Sequence, residues 1–218
     1  MTTPHEKLGL ALGFMGVLLF GGTLPATRLA VAAFDPLFLS AARAAIAGCA
    51  GLLLLLALRR PIPPRALWHE FLLAGLCTIV GFPVFTAMAM VHVPTAHGGV
   101  VLGILPLATA AVAALIAHER PSPGFWLSSA AGAAIVLLFM LRRGNTHMIE
   151  LGDLYLLGTI ISGAFGYTLS GRLSRKLPGW EVISWQVALF LPLSLGAALM
   201  LWPVNLGDVT ASHWAGLI

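Results

Sequence analysis

The sequence predicts an all-α fold, a polytopic transmembrane helix bundle, and three observations carry that prediction. Asp, Glu, Lys and Arg make up only 9% of the 218 residues, and nearly all of them sit in short gaps between long apolar runs. Each run approaches or exceeds the ~20 residues that cross the hydrocarbon core of a bilayer. The runs also lack the polar stripe that a helix on the surface of a soluble domain presents to water. Hydrophobic residues reach 59% and the mean hydropathy is +0.95, outside ordinary globular composition.

The elements follow in order. A short polar stretch, Met1–Lys7, precedes the run Leu8–Phe34. That run is too long for a signal-peptide core and shows no A-x-A-like cleavage site, so it is expected to remain as a helix. Asp35-Pro36 closes it, and Leu37–Leu58 forms the second run. Arg59–Glu70, with Pro61, Pro63 and Pro64, separates this from the third, Phe71–Val91. His92–His97 leads to Gly98–Ala117, and His118–Gly124 to Phe125–Leu141. Arg142–Asp153 then leads to Leu154–Gly171, and Arg172–Glu181 to Val182–Trp202. After Pro203–His213 an eighth helix is expected to start at His213 or Trp214, making roughly seven spans and the beginning of another.

The net charge of +4 and the pI of about 9.7 do not point to nucleic acid, because the basic residues stand singly or in pairs at the ends of runs and form no basic face. They read as topology signals. With the N-terminus in the cytoplasm, Lys7, Arg59, Arg60, Arg65, Arg120, Arg172, Arg175 and Lys176 fall inside, and only Arg142 and Arg143 fall outside. The opposite orientation reverses that balance. Cys49 and Cys77 both lie within apolar runs, read as small packing residues, and say nothing about redox compartment.

The chain also repeats weakly upon itself. When Arg28-Leu29 is laid on Arg172-Leu173, the same ungapped offset brings Glu6 onto Glu150, Gly22 onto Gly166, Ser40 onto Ser184 and His69 onto His213. An odd number of helices, about five, separates the two starts, so the second copy must cross the membrane in the opposite sense. The expected organisation is a first repeat at 1–142 and a second, incomplete one at 150–218, with two helices and the start of a third. The chain is therefore expected to be C-terminally truncated, from a protein of about ten helices.

These residues resemble a known family. Gly21-Gly22-Thr23-Leu24-Pro25-Ala26-Thr27-Arg28-Leu29-Ala30 is similar to the first helix of EamA-type members of the drug/metabolite transporter superfamily. Asp35-Pro36-Leu37 with Ala41-Ala42-Arg43 resembles their second helix, and Leu105-Pro106-Leu107 with His118-Glu119-Arg120 their fourth. Gly152-Asp153-Leu154, Leu169–Arg175 and Ser184-Trp185-Gln186 resemble the opening of the second repeat. The resemblance implies a ten-helix, two-repeat carrier of the inner (plasma) membrane that moves small metabolites, often outward.

Arg43 is the sharpest candidate for function. It lies about two helical turns beyond Pro36, and Ser40, Ala44, Ala47 and Gly51 around it are small. Small residues allow close helix packing, so this face is expected to look into the bundle. A cation there lines a polar cavity; the alternatives are snorkelling to the headgroups or a structural pair with Asp35. Arg28 sits near the outer end of the first helix, where snorkelling competes with a cavity role. His97 opens the fourth helix before Gly98-Gly99, where it can exchange a proton or contact a solute, or merely cap the helix. Thr23, Tyr167 and Gln186 add polar groups near the inferred centre, and Tyr167 falls opposite Thr23 in the repeat. Pro25, Pro83 and Pro106 are expected to kink their helices and free carbonyls. Glu119 is expected at the cytoplasmic interface, pairing with a loop charge, with a gate as a secondary role.

No Asp or Glu lies deep in an apolar run, so with Arg28 and Arg43 as the embedded charges an anionic or zwitterionic, amino-acid-like solute is favoured over a lipophilic cation. The competing classes are an intramembrane enzyme and a non-transporting or inactive truncated subunit. The first is disfavoured because there is no H-E-x-x-H or G-x-S-x-G motif and no His or Cys cluster at metal spacing. No cofactor, metal or nucleic acid is expected. The expected partners are the lipid bilayer, a small-molecule solute and a second copy of the chain in a homodimer.

Overall fold

The computed structural model describes residues 4–116, 121–142, 150–203 and 209–217. They form α1 (Pro4–Gly21), α2 (Thr23–Ala30), α3 (Pro36–Ala57), α4 (Trp68–Gly75), α5 (Phe82–His92), α6 (Thr95–Leu102), α7 (Leu105–Ile116), α8 (Pro123–Arg142), α9 (Leu151–Leu173), α10 (Gly179–Met200) and α11 (Ala211–Leu217). A single 3₁₀ turn, Arg65–Leu67, precedes α4, and a π-helical turn, Leu76–Gly81, joins α4 to α5. Six continuous stretches are long and apolar enough to cross a membrane: Leu8–Ala30, Pro36–Ala57, Arg65–His92, Thr95–Ile116, Leu151–Leu173 and Gly179–Met200. The all-α polytopic bundle expected from the apolar runs is the fold observed. The fifth run forms α8, of which Pro123–Val136 counts as a shorter apolar helix, and α11 is the expected eighth start.

The breaks lie where local chemistry puts them. Asp35 caps α3, its Oδ1 accepting from the backbone N–H of Leu37 (2.8 Å) and Phe38 (3.2 Å), with Pro36 just inside the helix. At its other end α3 closes with Arg59 in the left-handed region (φ 49°) and a bond from Arg60 N–H back to the Leu55 carbonyl at 2.9 Å. That closure turns Arg60 towards α10. Pro25, Pro83 and Pro106, where kinks were expected, each stand in the first turn of a new helical segment, after Gly22, the π turn and Gly103-Ile104 respectively. One proline the sequence reading passed over, Pro192, lies inside α10.

Contacts give the direction of each span. Phe20 meets Phe82 and Arg28 reaches Met90, so the first span runs parallel to the third. Along α9, Gly152 packs on Val93, Gly158 on Phe85 and Gly166 on Thr78, so α9 runs antiparallel to the third span. Likewise Gly48 of α3 packs on Leu191 while Gly51 packs on Ser184, so α3 and α10 are antiparallel. The α3–α10 approach leaves no room for side chains. A Cβ on Gly48 would lie 2.9 Å from the Val187 carbonyl, and one on Gly51 2.6 Å from Val187 Cγ2.

Three apolar clusters hold the bundle. Phe82, Met90, Val101, Leu105 and Leu156 bind α5, α6, α7 and α9. Phe34, Phe38, Leu39, Ala198 and Leu217 gather α3, α10 and α11. Phe71, Ala74, Leu173 and Val182, each at most 1% exposed, close the end where α4, α9 and α10 meet. In contrast α1 stands clear, with Leu10, Leu12, Phe14 and Val17 each at least 64% exposed, as befits a face turned to lipid.

Candidate functional site

Arg43 sits half-buried on α3 and reaches across to two other helices. Its Nη1 donates to Thr27 Oγ1 on α2 at 2.7 Å, its Nε to the Leu217 carbonyl at 3.2 Å, and its Nη2 to the Gly216 carbonyl, both on α11. Among the described residues no carboxylate pairs with it. Asp35, the structural partner weighed from sequence, is occupied as the cap of α3. A guanidinium carries five N–H donors, so two remain for a ligand.

Arg43 lines a cleft of about 230 Å³. Its polar wall is hydroxyl: Thr23, Thr27, Ser40, Thr78 and Thr86. Its apolar wall is Ile79, Phe82, Pro83 and Val187. Ser40 and Thr86 already donate within their own helix, to the Pro36 and Phe82 carbonyls, which leaves their oxygens as acceptors, and the single Thr78 proton is shared between the Ala74 carbonyl and Gln186 Oε1. Thr23 also borders two adjoining cavities, one on the Arg43 side and one reaching Gly99 and Gly103 of the fourth span.

The other sequence candidates are placed as follows. Arg28 is exposed, and its Nη1 donates to the carbonyls of Met90 and, at 3.2 Å, Val91. His97 Nε2 lies 2.7 Å from Asp153 Oδ1, tying the start of α6 to the start of α9. The other oxygen of Asp153 accepts from Glu150 N–H in a capping box, which fixes the carboxylate for that contact. Tyr167 lies one ring away from the cleft, against Phe82 at a centroid distance of 5.8 Å. Gln186 is fully buried; its Nε2 donates to Ser170 Oγ at 2.9 Å and its Oε1 accepts from Thr78 Oγ1 at 3.2 Å, so α9, α10 and the π turn meet on one amide. Glu119 lies outside the described residues.

A second polar cluster escaped the sequence reading. Glu70, 8% exposed in the first turn of α4, meets Lys176 Nζ at 3.3 Å and Arg172 Nη2 at 3.7 Å. Beside it Glu181, in the first turn of α10, meets Arg60 Nε at 3.7 Å, with the Arg60 guanidinium 5.1 Å from the Trp180 ring centroid. This layer lies directly on the Phe71, Leu173 and Val182 cluster and seals the end of the bundle remote from Arg43. The signal available was the placement of both acids in first turns, next to the basic gaps.

Six apolar spans with these ion pairs at their ends and a half-buried arginine on an internal cleft define a multi-pass α-helical membrane protein. Residues 7–141 match the EamA-like transporter family, and the chain belongs to that family. A protein of Bacillus subtilis (strain 168) described as the uncharacterized transporter YdeK is 47% identical over 191 residues, which cover 88% of this chain. The matched part is 66% of that relative, so the chain spans less than two thirds of its length. A protein of known crystal structure shares the fold, with a TM-score of 0.66 at 22% identity over 95% of this chain and 72% of the other.

Proposed function

We propose that the protein is a carrier, not an enzyme, that moves a small anionic or zwitterionic, amino-acid-like metabolite out of the cell across the inner (plasma) membrane by alternating access, with its N-terminus in the cytoplasm. The observation that carries this reading is Arg43: a cation at membrane depth, unpaired with any carboxylate among the described residues, on the wall of a hydroxyl-lined cleft. Such a group is retained where it meets a complementary charge, and a solute carboxylate accepts two parallel N–H bonds from a guanidinium. The opposed directions of the first span and α9, and of α3 and α10, support reading 1–142 and 150–218 as two copies of one repeat inserted in opposite senses, the second incomplete. The basic residues of the Glu70 and Glu181 layer support a cytoplasmic location for that end.

The test is counterflow in proteoliposomes holding the full-length protein. Vesicles preloaded with leucine are expected to accumulate labelled leucine, and Arg43→Gln to abolish this while leaving insertion and yield unchanged. Normal counterflow by Arg43→Gln removes Arg43 as the anchor.

A further inference from the structure

The ion pairs Arg60–Glu181, Arg172–Glu70, Lys176–Glu70 and His97–Asp153 each join a residue of 1–142 to a residue of 150–218. They lie at opposite ends of the bundle, since Asp153 stands in the first turn of α9 and Arg172 in its last. The pairs at the Glu70 end join a carboxylate to Arg or Lys, side chains that ordinarily hold their charge between pH 5 and 8. Of these pairs, His97–Asp153 is the one built on a side chain that ordinarily changes charge there.

The geometry of that pair is set by the helices that carry it. Asp153 Oδ2 accepts the Glu150 N–H, which leaves Oδ1 turned to His97 Nε2 at 2.7 Å. The two side chains are 17% and 23% exposed, so the contact is shielded yet reachable by protons from water. His97 stands third in α6 and Asp153 third in α9, so two helix N-termini converge on one carboxylate. The elements packed around His97 bring other charged and titratable groups to this end. These are Arg28 on α2, held by the Met90 and Val91 carbonyls, His92 on α5, stacked on Tyr155 of α9 at 5.8 Å, and Glu150, which caps α9.

We propose that His97 and Asp153 form a proton-operated latch between the two repeats: the imidazolium binds the starts of α6 and α9 together, and loss of its proton lets them part. A neutral ring keeps at most one hydrogen bond to Asp153, without the Coulomb attraction of an ion pair. With the N-terminus in the cytoplasm the latch faces outside, so an acidic exterior holds that end shut. The inference rests on reading 1–142 and 150–218 as two repeats that move against one another, and makes no use of the solute.

Paired nitroxides on Ala96→Cys and Leu151→Cys, both exposed beside the latch, test it in the full-length protein in lipid bilayers, in a background without native cysteines. Dipolar broadening of the spin-label spectrum reads their separation. From about pH 5.5 to about pH 8.5 the ratio of separated to close pairs is expected to rise about threefold, the size of change that loss of a partly exposed ion pair brings. His97→Gln keeps a donor for Asp153 but does not titrate, and is expected to show one ratio at both pH values. His92→Gln is expected to respond as the protein with both histidines does. Equal broadening at the two pH values with both histidines present overturns the latch. A response that survives His97→Gln, or that His92→Gln abolishes, assigns the proton to another group and overturns it too. Leucine counterflow without a latch response removes this device and leaves the carrier reading standing; a latch response without counterflow does the reverse.

Discussion

Arg43 Nη1 donates to Thr27 Oγ1 at 2.7 Å, and this bond joins the second span to the first across the head of the cleft. Thr27 is 2% exposed, so its hydroxyl has no water to fall back on. The pair aims the guanidinium while leaving two of its N–H groups for a ligand.

Thr27→Val removes that hydroxyl without changing side-chain volume much. It is expected to weaken leucine binding by about tenfold, equivalent to about 1.4 kcal/mol. Thr27→Ser is expected to restore it. Calorimetric titration of each variant with leucine checks this.

Gly51→Val places a branched side chain where even a Cβ lies 2.6 Å from Val187 Cγ2 and 3.1 Å from the Ser184 carbonyl. Neither α3 nor α10 can yield without losing the packing along their whole seam. A destabilisation of about 1–3 kcal/mol is expected from overpacking, read as a lower unfolding midpoint in detergent. Gly13→Val, where nothing lies within 4 Å, serves as the neutral control.

Gln186→Leu fills the same space but removes the amide that bridges Thr78 Oγ1 and Ser170 Oγ. A loss of about 1 kcal/mol is expected, because the half-buried Ser170 hydroxyl loses its donor while Thr78 Oγ1 keeps the Ala74 carbonyl. The same variant is expected to weaken leucine binding, since Thr78 borders the cleft on the turn that Gln186 pins. A stability loss with unchanged leucine affinity would confine Gln186 to a structural role.

Much of this architecture was legible in the sequence. The apolar runs and proline breaks translate directly into spans, because a bilayer forces backbone groups to pair internally and sets the length over which they do so. Arg43 was legible for a related reason: a cation within an apolar run needs a purpose. The Gln186 network was only half visible, since its partners Thr78 and Ser170 are remote in sequence and meet through packing. Glu70 and Glu181 read as ordinary loop charges, because pairing between the ends of different helices leaves no periodic trace. Nor was the π turn at Leu76–Gly81 foreseeable, as an inserted residue in a helix changes register without changing composition.

The sealed end offers its own test. Glu70→Lys places three cations together beside a buried apolar cluster and is expected to lower the unfolding midpoint more than Lys176→Glu does. The double variant Glu70→Lys with Lys176→Glu restores opposite charges and is expected to recover part of the loss. Additive losses would show that the contact contributes nothing.

Solute protection of a cysteine at position 23 tests the central claim most directly, because Thr23 borders the Arg43 cleft and both adjoining cavities. In a background with Cys49 and Cys77 replaced by Ala, Thr23→Cys is labelled by a small maleimide with and without saturating leucine. Leucine is expected to slow labelling several-fold when Arg43 is present and to have no effect in Arg43→Gln. Labelling at one rate with and without leucine, or equal protection in Arg43→Gln, would contradict a solute site anchored by Arg43.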